Sequence, residues 1–312
     1  MQTGVLFGGQ GGQNINMVQH LYQTLSEYRQ VIDQASQILG YDMQLKMIDE
    51  QALQTTKYTQ PIVVAHSYGL YKSAQKFIPT PMMGLGLSLG EYTALIAAES
   101  IDFETGLKIV AKRGKLMQEA VATTKGAMAA LIADDLRPIN HKLRELQAQG
   151  LSIYPANYNS SQQLVIGGVP SDLEQAILIL EELKLCRVVK LNVAGAFHTP
   201  LLVSAQTEFN NYLKKVVFKE PKFTVYSNTT QQPFKANTLT DTLVKQLISP
   251  TFFAQALEDS VNTQDINQLI EFGPDSTLTK FARKTVAKDI KRYSIFNQSS
   301  FAKVQGEFTN GN

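Results

Sequence analysis

The 312-residue sequence predicts an α/β fold in which a domain of alternating short strands and helices is interrupted by a small ferredoxin-like unit. Three observations carry that prediction. Brief apolar runs such as Gly4-Val5-Leu6-Phe7 are followed by stretches with apolar residues at helical spacing. Between about Lys125 and Leu191 the rhythm changes to β-α-β-β-α-β, the ferredoxin-like order, over about the length of a small inserted domain. At Gly86-Leu87-Ser88-Leu89-Gly90 an apolar run turns through a glycine-flanked serine into the good helix former Tyr92-Thr93-Ala94-Leu95-Ile96-Ala97-Ala98.

In chain order, the strand at 4–7 enters Gly8-Gly9-Gln10-Gly11-Gly12-Gln13 and then a helical stretch over about 17–25. No Lys-Ser/Thr follows the glycines as in a P-loop, and their spacing is not the dinucleotide fingerprint. Two uses remain open: a tight strand-to-helix turn, or the separate Gly-rich loop that lends an N–H to an oxyanion in nucleophile-elbow enzymes. Helical patterns follow at about 28–39 and 60–77, with Pro61 placed for a helix start. His66 lies among Val63, Val64, Ala65 and Leu70, the surroundings of a packed core histidine. At Ser88, glycines on either side remove Cβ atoms that would clash as the chain reverses, and the turn pushes the hydroxyl out above the sheet edge. The helix behind it offers free N–H groups and the positive end of its dipole to an oxyanion.

A helix over about 101–119 carries Lys108, Lys112, Arg113 and Lys115, most of them a solvated face. Within the insert we read strands at 127–132, 152–157, 164–167 and 187–191, and helices at about 135–149 and 171–183. Beyond it, Gly195-Ala196-Phe197-His198-Thr199-Pro200 is a loop leading into a helix at about 202–214. Strands at 224–227 and 268–272 then alternate with helices near 240–247, 251–261 and 277–286, punctuated by Pro250 and Gly273-Pro274. From about Asn297 apolar periodicity is lost. The expected division is therefore a discontinuous domain of residues 1–124 and 193–296, an insert of residues 125–192, and a flexible tail of residues 297–312.

Composition narrows the function. Hydrophobic residues at 44% and charged residues at 18% are ordinary for a globular protein. Twenty-nine basic and 27 acidic residues are mixed along the chain, so a net charge of +2 makes no electrostatic case for a nucleic-acid or membrane surface. Cys186 stands alone, which excludes an internal disulfide, and no Cys/His cluster has zinc-ligand spacing. No run approaches the ~20 apolar residues of a membrane span, and the start lacks a basic flank and an apolar segment long enough for a signal peptide; a cytoplasmic protein is expected.

A serine hydroxyl is a weak nucleophile until a base takes its proton, and histidine is the usual base. His20 and His141 read as exposed on helices and His66 as packed, which leaves His198, bracketed by a glycine and a proline. Serine before histidine is the chain order of hydrolase-type folds. No Asp or Glu between Ser88 and His198 stands out to orient the imidazole, so a backbone carbonyl is the alternative orienter.

Six motifs then fall in one family's order. Gly9-Gln10-Gly11-Gly12-Gln13, Gly86-Leu87-Ser88-Leu89-Gly90-Glu91-Tyr92, Lys112-Arg113-Gly114 with Met117-Gln118-Glu119-Ala120, Ala156-Asn157-Tyr158-Asn159-Ser160, Ala196-Phe197-His198-Thr199 and Phe272-Gly273-Pro274 resemble the malonyl-CoA:acyl carrier protein transacylases of bacterial fatty-acid synthesis. Together the motifs cover the chain to about Val286. The resemblance implies a hydrolase-like α/β domain with the ferredoxin-like insert. It implies Ser88 as acyl acceptor, His198 as base and acid, Gln10 and Leu89 as the oxyanion N–H donors, and the Gln246 backbone carbonyl as the histidine's orienter. Arg113 matches the arginine that binds the malonyl carboxylate through a bidentate pair, and Phe197 the bulky residue of malonyl-selective members, where methylmalonyl-selective relatives commonly have Ser. Two departures stand out: Leu87 replaces the usual His, and Gly12 replaces Ser or Ala, the second expected to be harmless.

The activity implied is a ping-pong S-malonyltransferase of fatty-acid biosynthesis, moving malonyl from malonyl-CoA through a malonyl-serine to acyl carrier protein. A monomer is expected, with coenzyme A thioester as substrate and neither a metal nor a tightly held cofactor. A trans-acting polyketide-synthase acyltransferase, an acyl hydrolase and a carrier-binding protein without chemistry are the alternatives. Arg113 speaks against hydrolysis of carboxyl-free acyl chains, in whose pocket it would be an unpaired charge. Ser88 together with His198 speaks against the carrier-binding protein.

Overall fold

The computed structural model describes residues 2–309. Among the described residues nine strands form two sheets. Strands β1 (Thr3–Phe7) and β2 (Met83–Gly86) precede the insert, β3 (Ala127–Ile132), β4 (Ile153–Ser160), β5 (Gln163–Gly168) and β6 (Arg187–Leu191) make it up, and β7 (Thr224–Tyr226), β8 (Gln268–Phe272) and β9 (Lys291–Ile295) follow it. The outer group, β7-β2-β1-β8-β9, is wholly parallel. Its central strands β1, β2 and β8 are buried along their whole length, as strands covered by helices on both faces must be. That requirement is why Gly4–Phe7 reads as an unbroken apolar run and does not alternate.

The inner group, β4-β5-β3-β6, is antiparallel throughout. Its helices Arg137–Ala148 and Pro170–Glu182 pack Ile139, Leu143, Leu146, Leu173, Ile177 and Leu180 onto one face. The other face, with Met128, Ala130 and Val165, closes over Ala196, so the insert covers the loop that carries His198. A second junction is made by backbone: Thr251 donates to the Ala156 carbonyl (2.9 Å), Tyr158 donates to the Thr251 carbonyl (2.8 Å), and the Tyr158 ring stacks on Phe252.

Several expectations are corrected. The helix expected over about 17–25 is broken into a 3-10 turn, Ile15–Val18, and a short helix, Leu21–Thr24, because His20 turns into the left-handed region (φ 66°). The helix expected to start near Gln60 runs Thr56–Ala74, which puts Pro61 in its interior. Short helices Met43–Met47 and Glu50–Gln54 were not anticipated; Asp42 and Asp49 cap them, accepting from Leu45 N (3.0 Å) and from Gln51 N and Ala52 N (3.0 and 3.1 Å). The tail expected from residue 297 is instead a helix, Gln298–Thr309, packed beside β9. Asn297 caps it through the Ser300 N–H (2.9 Å), and it buries only Phe301 and Val304, too narrow a stripe to show as periodicity. Residues 310–312 lie outside the described residues. Among the described residues no helix is long and apolar enough to cross a membrane.

Candidate active site

β2 ends at Gly86, a helix runs Gly90–Ala97, and between them Ser88 adopts φ 53°, the left-handed conformation that a β-substituted residue enters only under constraint. The flanking glycines owe their places to close approach. A Cβ on Gly86 would overlap the Gly90 carbonyl carbon, and one on Gly90 would overlap the Phe7 carbonyl oxygen at the end of β1. Leu87 N donates back to Phe7 O (3.2 Å), pinning the turn to the sheet. The Gly8–Gln13 loop lies against the same turn: a Cβ on Gly9 would stand 2.7 Å from the Leu87 carbonyl oxygen. Among the described residues no acceptor takes the N–H of Gln10 or of Leu89. Gly12 faces Asp275, whose carboxylate occupies the space a Cβ would need, so the glycine there is matched to its neighbour.

His198 also adopts a positive φ (60°), in the loop between β6 and the 3-10 turn Pro200–Leu202, and is 4% exposed. Its conformation is held by Thr199, whose hydroxyl donates to Ala196 O at 2.7 Å. His198 Nδ1 lies 2.8 Å from the Gln246 carbonyl oxygen and Nε2 lies 2.6 Å from Ser88 Oγ. A carbonyl only accepts, so Nδ1 carries the hydrogen and Nε2 presents its lone pair to the serine hydroxyl. Burial, reinforced by the nearby Arg113 charge, pulls the imidazole down to about 4 against the opposing pull of the carbonyls of Gln246 and Ser249. His198 is therefore neutral at neutral pH, the form a base requires.

Arg113 lies on the helix Phe103–Thr123 and is 1% exposed. Its Nη2 donates to Ser88 Oγ (3.2 Å) and to Gln246 Oε1 (3.0 Å), its guanidinium lies 5.4 Å from the centre of the Tyr92 ring, and among the described residues its buried Nε has no partner. Burial lowers its pKa. The other cations of this helix behave as a solvated face, Lys108 pairing with Glu104, Lys112 with Glu208 and Lys115 with Glu119. An arginine held without a carboxylate beside a serine suits an incoming group that brings its own negative charge.

The structure thus brings Ser88, His198, Gln246 and Arg113 together, sets Leu89 and the Gln10 loop beside them, and leaves Phe197 half-buried next to His198. His66 is buried with Nδ1 2.8 Å from the Tyr28 hydroxyl, as a core histidine, and His141 is exposed beside Glu145. Sequence reasoning gave no role to the Gln246 side chain or to Glu91. Glu91 is fully buried: Oε1 accepts the Asn228 N–H (2.5 Å), and Oε2 accepts from Gln246 Nε2, which also donates to Ser88 O (3.1 Å). Burial pushes its carboxyl upward, against the pull of those donors and of Arg113, and because N–H donors claim both of its oxygens the hydrogen bonding requires the ionised form. A glutamate in the otherwise apolar Gly90–Ala97 helix was the signal available. Among the described residues no group of three His, Cys, Asp or Glu side chains is arranged to hold a metal.

The acyl transferase domain family matches residues 5–302. A malonyl CoA-acyl carrier protein transacylase of Staphylococcus aureus is 32% identical over 297 residues, covering 94% of this chain and 95% of that protein. The crystal structure of MCAT from Streptococcus pneumoniae superposes with a TM-score of 0.92 at 32% identity, over 98% of this chain and 100% of that one. A malonyl-transacylase solved in complex with its type II PKS acyl-carrier protein superposes with a TM-score of 0.92 at 30% identity, over 100% of both chains.

Proposed function

The chain belongs to the acyl transferase domain family, alongside the malonyl CoA-acyl carrier protein transacylases, and from that premise we propose that it carries malonyl from coenzyme A to acyl carrier protein through Ser88. The observation that carries the reading is Arg113: a buried guanidinium with no carboxylate in ion-pair contact among the described residues, 3.2 Å from the same oxygen that His198 Nε2 approaches at 2.6 Å. An acyl group attached to Ser88 would meet that cation, and an acyl group ending in a carboxylate would pair with it.

In the first half-reaction His198 Nε2 takes the Ser88 proton as Oγ attacks the thioester carbonyl. The N–H groups of Leu89 and Gln10 receive the developing oxyanion. Collapse expels the coenzyme A sulfur, which leaves with the proton from His198. In the second half the phosphopantetheine thiol of the carrier gives its proton to the histidine and attacks the malonyl ester, and Ser88 Oγ recovers its hydrogen. The Gln246 carbonyl stabilises the imidazolium formed in each half without contributing a full charge. Phe197 lies beside the histidine to narrow the acyl pocket. We assign this chemistry to residues 1–124 and 193–309, with residues 125–192 as a separate small domain that covers the His198 loop.

Service to fatty-acid synthesis is the primary reading. Polyketide assembly is the second, favoured by the likeness to the transacylase bound to a type II PKS carrier. The test is direct. After mixing with malonyl-CoA and digestion, the malonyl mass is expected on the Ser88 peptide, and Ser88→Ala should lose transfer by several orders of magnitude. Transfer at the wild-type rate in Ser88→Ala would refute the mechanism.

A further inference from the structure

Around Gln246 the polarity of every hydrogen bond is decided by groups that cannot change role. Ser88 O can only accept, so it takes Gln246 Nε2 (3.1 Å). Arg113 can only donate, so it requires Gln246 Oε1 (3.0 Å). The Asn228 N–H can only donate, and it claims Glu91 Oε1 (2.5 Å), leaving Oε2 to accept from Gln246 Nε2. Asn228 is itself anchored, its side chain donating to the Gly86 carbonyl and its carbonyl accepting from Phe252 N (2.5 Å). Position 91 must therefore accept at both oxygens.

We propose that Glu91 is a positioning residue for substrate selectivity, its carboxylate holding the Gln246 amide in the one orientation that presents Oε1 to Arg113 and so keeps the guanidinium aimed at the Ser88 hydroxyl. The inference rests on the reading of Arg113 as receptor for the acyl carboxylate. An amide at position 91 cannot replace the carboxylate. With its oxygen on the Asn228 N–H, its NH₂ meets Gln246 Nε2, donor against donor. Turned over, the same conflict falls on Asn228. If Gln246 flips to relieve it, its own NH₂ meets Arg113 and its oxygen meets Ser88 O.

The experiment measures kcat/KM for malonyl-CoA and for acetyl-CoA in wild type, Glu91→Gln, Gln246→Ala, the double variant and Arg113→Ala, with Tm for each. Glu91→Gln is expected to lower the malonyl-to-acetyl ratio by about tenfold or more, the scale of one hydrogen bond to a charged group. In the Gln246→Ala background, where no amide remains to be oriented, the same change should alter the ratio by less than about twofold. Equal losses for both substrates, or the same ratio change in both backgrounds, would make Glu91 a general structural residue and overturn the proposal. Recovery of folded protein for the double variant but not for Glu91→Gln alone would support it. Failure of both to fold would overturn it. An unchanged ratio in Arg113→Ala would instead strike the underlying reading, and a changed ratio there with none in Glu91→Gln would strike this inference alone.

Discussion

Replacing Arg113 by alanine isolates the contact on which the malonyl assignment turns. The side chain is 1% exposed, so its pairing with a substrate carboxylate takes place out of water, and among the described residues its hydrogen-bond partners are neutral, Ser88 Oγ and Gln246 Oε1. A charge-assisted bond in such a place contributes about 1.5–3 kcal/mol. At about 1.36 kcal/mol per decade, Arg113→Ala should lose about 10- to 150-fold in kcat/KM for malonyl-CoA. The loss grows if the carboxylate is left buried and unpaired. Acetyl-CoA brings no carboxylate and should be transferred as well as before, or better. Arg113→Lys should recover only part of the malonyl rate, because an ammonium lacks the planar fork. The assay is steady-state transfer to holo acyl carrier protein with both thioesters, and Tm separates selectivity from unfolding. A malonyl-to-acetyl ratio equal to the wild type's would refute the argument and reduce Arg113 to a buried structural cation.

Two further outcomes follow from the geometry. Because burial and Arg113 hold His198 near 4, the pH profile of kcat/KM should stay flat as pH falls from 8 to about 5 and turn down only near 4; removing the Arg113 charge favours the imidazolium, so Arg113→Ala should move that acid limb upward, and a wild-type limb at 6.5 or above would contradict the account. Gly90→Ala places a methyl on the Phe7 carbonyl oxygen of the central strand, where backbone must move to admit it; a stability loss of about 1–3 kcal/mol or more is expected in denaturant titration, and a wild-type midpoint would count against the close approach.

What could be read ahead of the structure divides along physical lines. β1, β8 and the insert's β3 and β5 were legible because burial on both faces leaves an unbroken apolar run. β9, Lys-Arg-Tyr-Ser-Ile at the sheet edge, and the helix after it bury few apolar side chains and left no such pattern. In the site, Ser88 was readable from its glycines and His198 from its loop, since those signals are local. The Gln246 carbonyl has no side-chain signature and came only through family resemblance. The role of the Gln246 side chain depends on partners 133 to 158 positions away, and no local pattern encodes that.

The placement of the insert also bears on how the site is assembled. Ser88 and His198 are 110 positions apart, and their contact must await closure of a long loop. Pairing of Met128 with Leu191 joins the ends of the insert across one strand spacing, removing 63 positions (191 minus 128) from the path and leaving about 47. By the logarithmic dependence of closure entropy on length, that shortcut lowers the cost of bringing serine to histidine by about 0.7 kcal/mol. In refolding, the antiparallel sheet should therefore form before the nucleophile finds its base, and recovery of transfer activity should lag behind it. Activity returning ahead of that sheet's amide protection would show the reverse order.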